Sequence, residues 1–298
     1  MNKILRGLRN PIEVLIYFIR HFVGVKWPDS FFIRVIYFLR TKRRLNLNNP
    51  CRFTEKLQWL KLNDRKPLYT NLVDKYNVKK EIAKKIGEKH IIPTIGVWNS
   101  ENEIEFDKLP KQFVLKTTHG GGSFGVIVCQ DKDEINIENV KCKLRKALKQ
   151  NLYQMGREWP YKNVRRQIIA EQYMGENLAD YKFFCFNGEP RYCQVIKGRN
   201  NGETIDFFDM SWNHQDFIGL NPSAKHSTSP IPKPIGLDNM IKIAKTLCSG
   251  IPFVRVDMYQ IGEMVYFGEM TFYPYSGWGR FTPDNWDFKL GDMLNIQK

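Results

Sequence analysis

Acidic charge is scarce in this 298-residue chain: 31 Asp and Glu stand against 46 Lys and Arg, a formal net charge of +15. An anionic partner is therefore expected, among nucleotides, acidic glycans, membrane headgroups and nucleic acid. Nucleic acid is set aside, because no zinc-ligand spacing, RNP-like aromatic run or helix-turn-helix pattern accompanies the charge. Cysteine is sparse and never paired in spacing. The six lie singly at Cys51, Cys129, Cys142, Cys185, Cys193 and Cys248 with no secretory signal, so a reducing cytoplasm is the expected compartment. No stretch reaches the roughly 20 apolar residues that would span a bilayer. There is no Ser-His-Asp or Cys-His pattern for nucleophilic catalysis, and no Gly-Lys-Ser/Thr for a Walker A loop. What is there is a globular composition, 42% hydrophobic and 26% charged, enough for one large or two modest domains.

Residues 1–48 read as a basic amphipathic helical extension. Val14–Ile19 and Phe31–Leu39 are aromatic-rich, broken by Arg20, His21 and Arg34 and flanked by Lys3, Arg6, Arg9, Lys42, Arg43 and Arg44. Such a hairpin can rest peripherally on an anionic inner membrane face, or it can pack on the protein's own core. Residues 49–110 read as a largely helical segment: one helix over Phe53–Leu62 with Thr54 as cap, another over Leu68–Ile86 stopped by Gly87, then a strand within Ile91–Trp98. Residues 111–170 form a small lobe, with strands Phe113–Lys116 and Val126–Cys129 and a helix over Val140–Gln150. Residues 171–298 form a larger one. There, Asn187-Gly188 between two apolar runs is a hairpin signal, and a proline-rich loop over 222–234 precedes a helix over Leu237–Leu247. Helices alternating irregularly with antiparallel hairpins predict an α+β fold.

The most informative stretch is Arg255–Thr271. Val254, Val256 and Met258 alternate with Arg255, Asp257 and Tyr259, the period of a half-buried strand. A turn centred on Glu263 places Asp257 opposite Glu269 and Arg255 opposite Thr271, at roughly 4.5–5.5 Å between Cβ atoms. Two carboxylates near 4 Å apart repel by about 4 kcal/mol at the effective dielectric of a protein surface. A cation should fill the gap, and a few hard oxygen ligands favour Mg²⁺. An ordinary hairpin with a solvated acidic face would show the same letters.

Three further motifs bear on this. Gly120-Gly121-Gly122-Ser123-Phe124-Gly125 matches G-x-G-x-x-G by letters, but a strand follows it where a dinucleotide fingerprint would open a helix. A glycine loop between antiparallel strands is instead a flexible cover whose N–H groups can approach phosphates, with Lys116 as a point charge beside it. The run Glu171-Gln172-Tyr173-Met174-Gly175-Glu176 continues a strand and can offer backbone groups to an adenine edge and carboxylates to an amine or ribose. Lys182 sits within an apolar strand and requires an anion, either Asp180 or a phosphate.

Read in order, these pieces resemble the ATP-grasp superfamily, and more closely its TupA-like group, associated with bacterial cell-surface polysaccharide synthesis. The likeness rests on Phe53–Leu57, Asp74-Lys75-Tyr76, Leu109–Lys116, Asp180–Gly188, Arg255–Tyr259 and Phe267–Phe272, and spans roughly residues 45 to 295. It implies an ATP-grasp fold, two α+β lobes with antiparallel sheets closing on ATP. It also implies an ATP-dependent carboxylate–amine ligase joining a uronic acid carboxylate of a capsular glycan to an amino acid or other amine through an acyl phosphate. By residue, Lys116 and Lys182 would hold phosphates, with Lys75 and the glycine loop assisting. Glu171, Gln172, Tyr173, Met174 and Glu176 would frame adenine and ribose. Asp257, Glu269 and Thr271 would ligate Mg²⁺, although the superfamily commonly carries Asn at the third place. Arg255, with Lys182, would act on the acyl phosphate. Tyr273–Trp278 and Arg280 are expected at the acceptor or in packing. Two other classes stay open: a glycosyltransferase, for which Asp206-Phe-Phe-Asp209 could stand as a D-x-D-like motif, and a non-catalytic nucleotide-binding scaffold.

Overall fold

The computed structural model describes residues 11–176, 178–197, 203–221 and 224–296. Lys3, Arg6 and Arg9 of the basic flank, and Pro222 and Ser223 of the proline-rich loop, lie outside them. Helices α1 (Pro11–His21) and α2 (Asp29–Thr41) form the N-terminal hairpin, followed by α3 (Phe53–Asn63), α4 (Pro67–Val73) and α5 (Asn77–Ile86). One face of the hairpin packs on the protein's own core and the other stays exposed. Ile16, Ile19, Phe32, Ile33, Ile36 and Tyr37 bury an inner stripe together with Trp278, while Tyr17, Phe18, Phe22, Phe31 and Phe38 stay exposed.

Two helix expectations need correction. Thr54 does not cap α3: its hydroxyl donates to Asp287 at 2.8 Å. The N-terminal N–H groups of Cys51 and Arg52 are met instead by the Glu55 carboxylate, at 3.0 and 3.1 Å, the role a carboxylate plays in a first turn. The helix expected over Leu68–Ile86 is two helices. Asp74 breaks it, accepting the N–H groups of Tyr76 at 2.9 Å and Asn77 at 3.1 Å, and so starts α5 afresh. A short polar side chain that competes for backbone donors favours such breaks. The break frees the Lys75 N–H to reach the Thr118 carbonyl at 3.0 Å.

The small sheet follows. Strands β1 (Thr94–Trp98), β2 (Phe113–Thr117) and β3 (Ile127–Cys129) precede α6 (Ile137–Leu148), the short α7 (Leu152–Gly156) and β4 (Ile168–Gln172). They pair antiparallel in the order β1-β4-β2-β3. Val140 and Leu144 of α6 close their core on Phe113, Leu115, Ile168 and Ala170.

The large sheet contains β5 (Asp180–Phe186), β6 (Glu189–Lys197), β7 (Thr204–Asp209) and β8 (His214–Gln215). After β9 (Ile218–Leu220) and α8 (Leu237–Cys248) come β10 (Phe253–Ile261) and β11 (Met264–Thr271); β12 (Arg280–Thr282) pairs with β9, and α9 (Asn285–Met293) ends the chain. The order β11-β10-β5-β6-β7-β8 is antiparallel throughout. Asn187 and Gly188 both have positive φ, 51° and 82°, as a two-residue hairpin turn of the primed kind demands. Phe53 of α3 packs its ring on Phe186 and Phe253, covering one face. Fully burying each such side chain is worth about 1.5–3 kcal/mol. Helix α8, whose Met240, Ala244 and Leu247 are buried, is in the same large core.

Candidate active site

The β10–β11 hairpin sets the site. Asp257 pairs with Glu269 and Arg255 with Thr271, as the sequence predicted, but by another route. The turn holds only Gly262 and Glu263 between Ile261 and Met264, which would misalign the acids by one position. A bulge between Asp257 and Met258, opposite Phe267 and Glu269, restores the register. Gly268 is the extra residue. A Cβ there would stand 3.0 Å from the Asp257 carbonyl and 2.9 Å from the Tyr259 ring, so the bulge needs glycine.

The gap between the acids holds the protein's own cations. Arg255 donates to both Asp257 oxygens, at 2.6 and 2.7 Å, and its Nη2 reaches the Thr271 hydroxyl at 3.1 Å. Lys182, directly across from Asp257 on β5, donates to the same carboxylate and lies 2.9 Å from Asp180. Two carboxylates, Asp180 among them, hold it in this structure. Burial pushes Asp257 above the ordinary aspartate value, against the pull of Arg255 and Lys182. Burial also acts to lower Arg255, but Asp257 and Glu269 outweigh it and the guanidinium is raised further.

Glu269 is differently placed. Its side chain is 36% exposed and its contacts are long: 3.4 Å to the Thr271 hydroxyl, 3.5 Å to Arg255 and 3.8 Å to Lys75. Burial alone would raise it, but Lys75, Lys182, Arg255 and Lys116 together bring it down to about 2. It stays a carboxylate with lone pairs to offer. As a hard oxygen donor beside the Thr271 hydroxyl and Asp257, it fits a Mg²⁺ ligand. Asp257 fits as the second only by sharing oxygens that Arg255 and Lys182 now hold.

Lys75 ties this hairpin to the small lobe, donating to the Gly120 carbonyl. Burial lowers its pKa, partly offset by Glu269. The loop beyond has Gly122 and Gly125 at positive φ, 63° and 78°, and an exposed tip at Gly122, Ser123 and Phe124, with Gly120 buried at its root and Gly121 half-buried. Gly125 is further constrained: a Cβ would fall 2.6 Å from that of Ala147. The loop therefore joins two antiparallel strands and opens no helix.

Glu171 is held by two lysines on the wall of the cavity between the lobes. Its carboxylate is 6% exposed and held by Lys116 at 2.5 Å and Lys79 at 2.6 Å. Burial acts to raise it, but the two lysines win and lower it. A carboxylate so committed fixes the position of Lys116 beside it. Glu176 stays closer to solvent, accepting from Gln130 at 2.7 Å, and Gln130 also meets the Tyr173 hydroxyl at 3.3 Å. Between the lobes lies a cavity of about 550 Å³. Lys116, Glu171, Gln172, Tyr173, Met174 and Glu176 line it, with Val114, Val128 and Leu178 as apolar walls. That suits a flat aromatic base with a few polar groups at its rim.

Lys79 and Gln130 were not singled out in the sequence. Lys79 lies in the first turn of α5, and nothing in its local sequence marks it. The aromatic turn after β11 divides its roles: Tyr273 and Trp278 are buried, whereas Tyr275 and Arg280 are exposed. Beneath it Lys61 donates to the carbonyls of Gly156 at 2.9 Å and Ser276 at 2.7 Å, and burial lowers its pKa to about 7. The D-x-D-like reading of Asp206 and Asp209 fails on spacing. Residues three apart on a strand face opposite ways, and Asp209 is spent on the N–H groups of Ser211 at 2.9 Å and Asn213 at 2.8 Å.

Among curated proteins none matches the chain. Among solved structures it is similar to a D-alanine–D-alanine ligase from Bacillus anthracis, with 22% identity, 69% of this chain and 58% of that one covered, and a TM-score of 0.40. The same ligase complexed with ATP gives 17%, 75%, 63% and 0.43. An L-amino acid ligase from Bacillus licheniformis gives 12%, 75%, 49% and 0.44. The chain spans less than two thirds of each, and likeness at this level says nothing of its activity. A profile of TupA-like ATPgrasp proteins, however, matches residues 55–295, taking in both sheets, the glycine loop and the acidic hairpin, and the chain belongs to that family.

Proposed function

We propose that this protein is an ATP- and Mg²⁺-dependent carboxylate–amine ligase of surface-polysaccharide synthesis, joining an amino acid or other amine to a uronic acid carboxylate. The observation that carries this reading is the hairpin: Glu269 faces Asp257, and Lys75, Lys182 and Arg255 gather around the pair at the edge of an apolar-walled cleft. A cleft of about 550 Å³, bearing Lys116 at its wall, suits a nucleotide.

In this reading the acceptor carboxylate oxygen attacks the γ-phosphorus of ATP and ADP leaves. The amine nitrogen then attacks the acyl carbon and phosphate leaves. Lys116, positioned by Glu171, and Lys75 hold phosphate oxygens, and the glycine loop's N–H groups cover them. Arg255 and Lys182 offset charge on the acyl phosphate. Bound at Glu269, with Asp257 and Thr271, Mg²⁺ supplies further neutralisation of the phosphate oxygens. Such transfer is positioning and charge compensation, with no side-chain nucleophile.

The test is to incubate the full chain with ATP, Mg²⁺, a uronic acid oligosaccharide and an amino acid pool, following phosphate release and product mass. Amine-dependent phosphate release with a product heavier by the amine less water is expected, and lost in Glu269→Ala. Sugar transfer from a nucleotide sugar, or binding of ATP without turnover, would replace this reading with a transferase or a scaffold.

The N-terminal hairpin supports a peripheral membrane contact. Half of the exposed large apolar side chains among the described residues fall between Val14 and Phe38, beside exposed Lys26, Lys42 and Arg44. No helix among the described residues is long and apolar enough to cross a membrane. The hairpin is proposed to lie on an anionic surface. Flotation with phosphatidylserine vesicles but not phosphatidylcholine ones is the expected result, and equal recovery with both would refute it.

A further inference from the structure

We infer that Asp206, His214 and His226 form a zinc site, separate from the nucleotide cleft. Three distant pieces of chain converge there. Asp206 comes from β7, His214 from β8, and His226 from the segment after Lys225, which bridges back to Thr204. The Asp206 carboxylate is 2% exposed. His214 Nε2 lies 2.9 Å from its Oδ1 and His226 Nδ1 lies 3.1 Å from the same atom. The Ser227 N–H reaches Oδ2 at 3.1 Å, fixing the carboxylate from behind. The three ligand atoms all lie within 4.8 Å of one another.

Two imidazoles and a carboxylate are a borderline-soft donor set that suits Zn²⁺ better than Mg²⁺. Around an ion at about 2.0–2.1 Å from each donor, tetrahedral geometry sets donors about 3.3–3.4 Å apart. The nitrogens and Oδ1 stand slightly closer than that, so the cluster opens by roughly 0.3 Å to admit the ion. The side chains of His214 and His226 are 45% and 30% exposed, which leaves an entry path and a fourth position for water or a ligand group. The rings are also held in place. His214 meets the Phe208 ring edge-on at 5.3 Å and the His226 ring at 4.9 Å.

The site is remote from the acid hairpin. Met258, Tyr181, Val195 and Asp206 are successive partners across β10, β5, β6 and β7, three strand spacings in all, or about 14 Å. Asp257, Lys182 and Gln194 form the neighbouring row, whose side chains point to the other face. A bound ion would staple the proline-rich segment to the free end of the large sheet.

The experiment uses the full chain carrying Cys51→Ser and Cys142→Ser, so that these exposed thiols do not compete as zinc ligands. Zn²⁺ alone, without nucleotide, is titrated against a chromogenic chelator, with thermal unfolding in parallel. One Zn²⁺ per chain and a rise in Tm are expected. His214→Ala and His226→Ala should each weaken binding by about 100-fold or more and abolish the rise in Tm, while circular dichroism and ATP affinity stay as in the parent. X-ray absorption should show nitrogen and oxygen neighbours at about 2.0–2.1 Å. Substoichiometric zinc in the parent, or unchanged zinc affinity in both histidine variants, would overturn the assignment.

Discussion

Each sheet of this protein holds a carboxylate between two cations, and the two arrangements differ in construction. Asp257 is clamped by Arg255 from its own strand and Lys182 from the next, all at or below 10% exposure. Glu171 is clamped by Lys116 from β2 and Lys79 from α5, which are 22% and 13% exposed. The first cluster is part of the large sheet's interior. The second lies on a cleft wall, where Lys116 faces the cavity. Buried charges that share one rigid sheet fix its geometry, whereas charges shared between a strand and a helix can respond to a ligand.

The sharpest way to break this comparison is to remove each carboxylate. Asp257→Ala leaves buried Lys182 with Asp180 alone and buried Arg255 with only the longer ion pair to Glu269, and should cost about 3–5 kcal/mol, read by urea unfolding. A loss below 1 kcal/mol would show that the sheet interior tolerates its cations without this partner. Acid should next find the small lobe. Burial lowers His119, at the root of the glycine loop, to about 4. The unfolded chain then takes up a proton first, so this contribution is complete above about pH 6.5 and declines as pH falls toward 4. The expected loss is on the order of 3 kcal/mol, visible as hydrogen exchange that rises first in β2 and the loop, and absent in His119→Gln. Uniform exchange across both sheets would contradict it.

Smaller in effect is Glu171→Gln. It should weaken ATP binding about tenfold, or ~1.4 kcal/mol, by calorimetry, because Lys116 loses its positioning partner. Unchanged affinity would make Glu171 merely structural. Smallest of all on stability is Glu269→Gln: four cations hold that carboxylate at about 2, but it is 36% exposed and screened, so its loss should cost about 1–2 kcal/mol while ending turnover. Those opposite signatures of two facing acids separate the one that holds the sheet from the one that holds the metal.

Much of this was legible in the sequence because it is local. The Asn187-Gly188 turn, the alternation in β10 and the glycine loop between strands each depend on neighbouring residues. What escaped the reading depends on distance or on single backbone competitors. Asp74 cuts a helix whose apolar spacing continues through it. Lys79 completes the Glu171 clamp from another element, and helical spacing alone gives it no reason to face a strand. The opposition of Asp257 and Glu269 was anticipated from an assumed three-residue turn, and the chain reaches the same opposition with a tighter turn and one extra residue further along. Asp206 drew notice for its spacing to Asp209, when its partners were histidines 8 and 20 positions later.

The extra residue at Gly268 has a practical consequence. It absorbs a one-position slip, so the tip of the hairpin and its acid end keep different registers within one continuous ladder. Residues at Gly262 and Glu263 could be replaced by a longer insertion, such as a fluorophore-bearing segment, without rotating Glu269 away from Asp257. The same insertion beyond the bulge would turn the acids to opposite sides of the sheet.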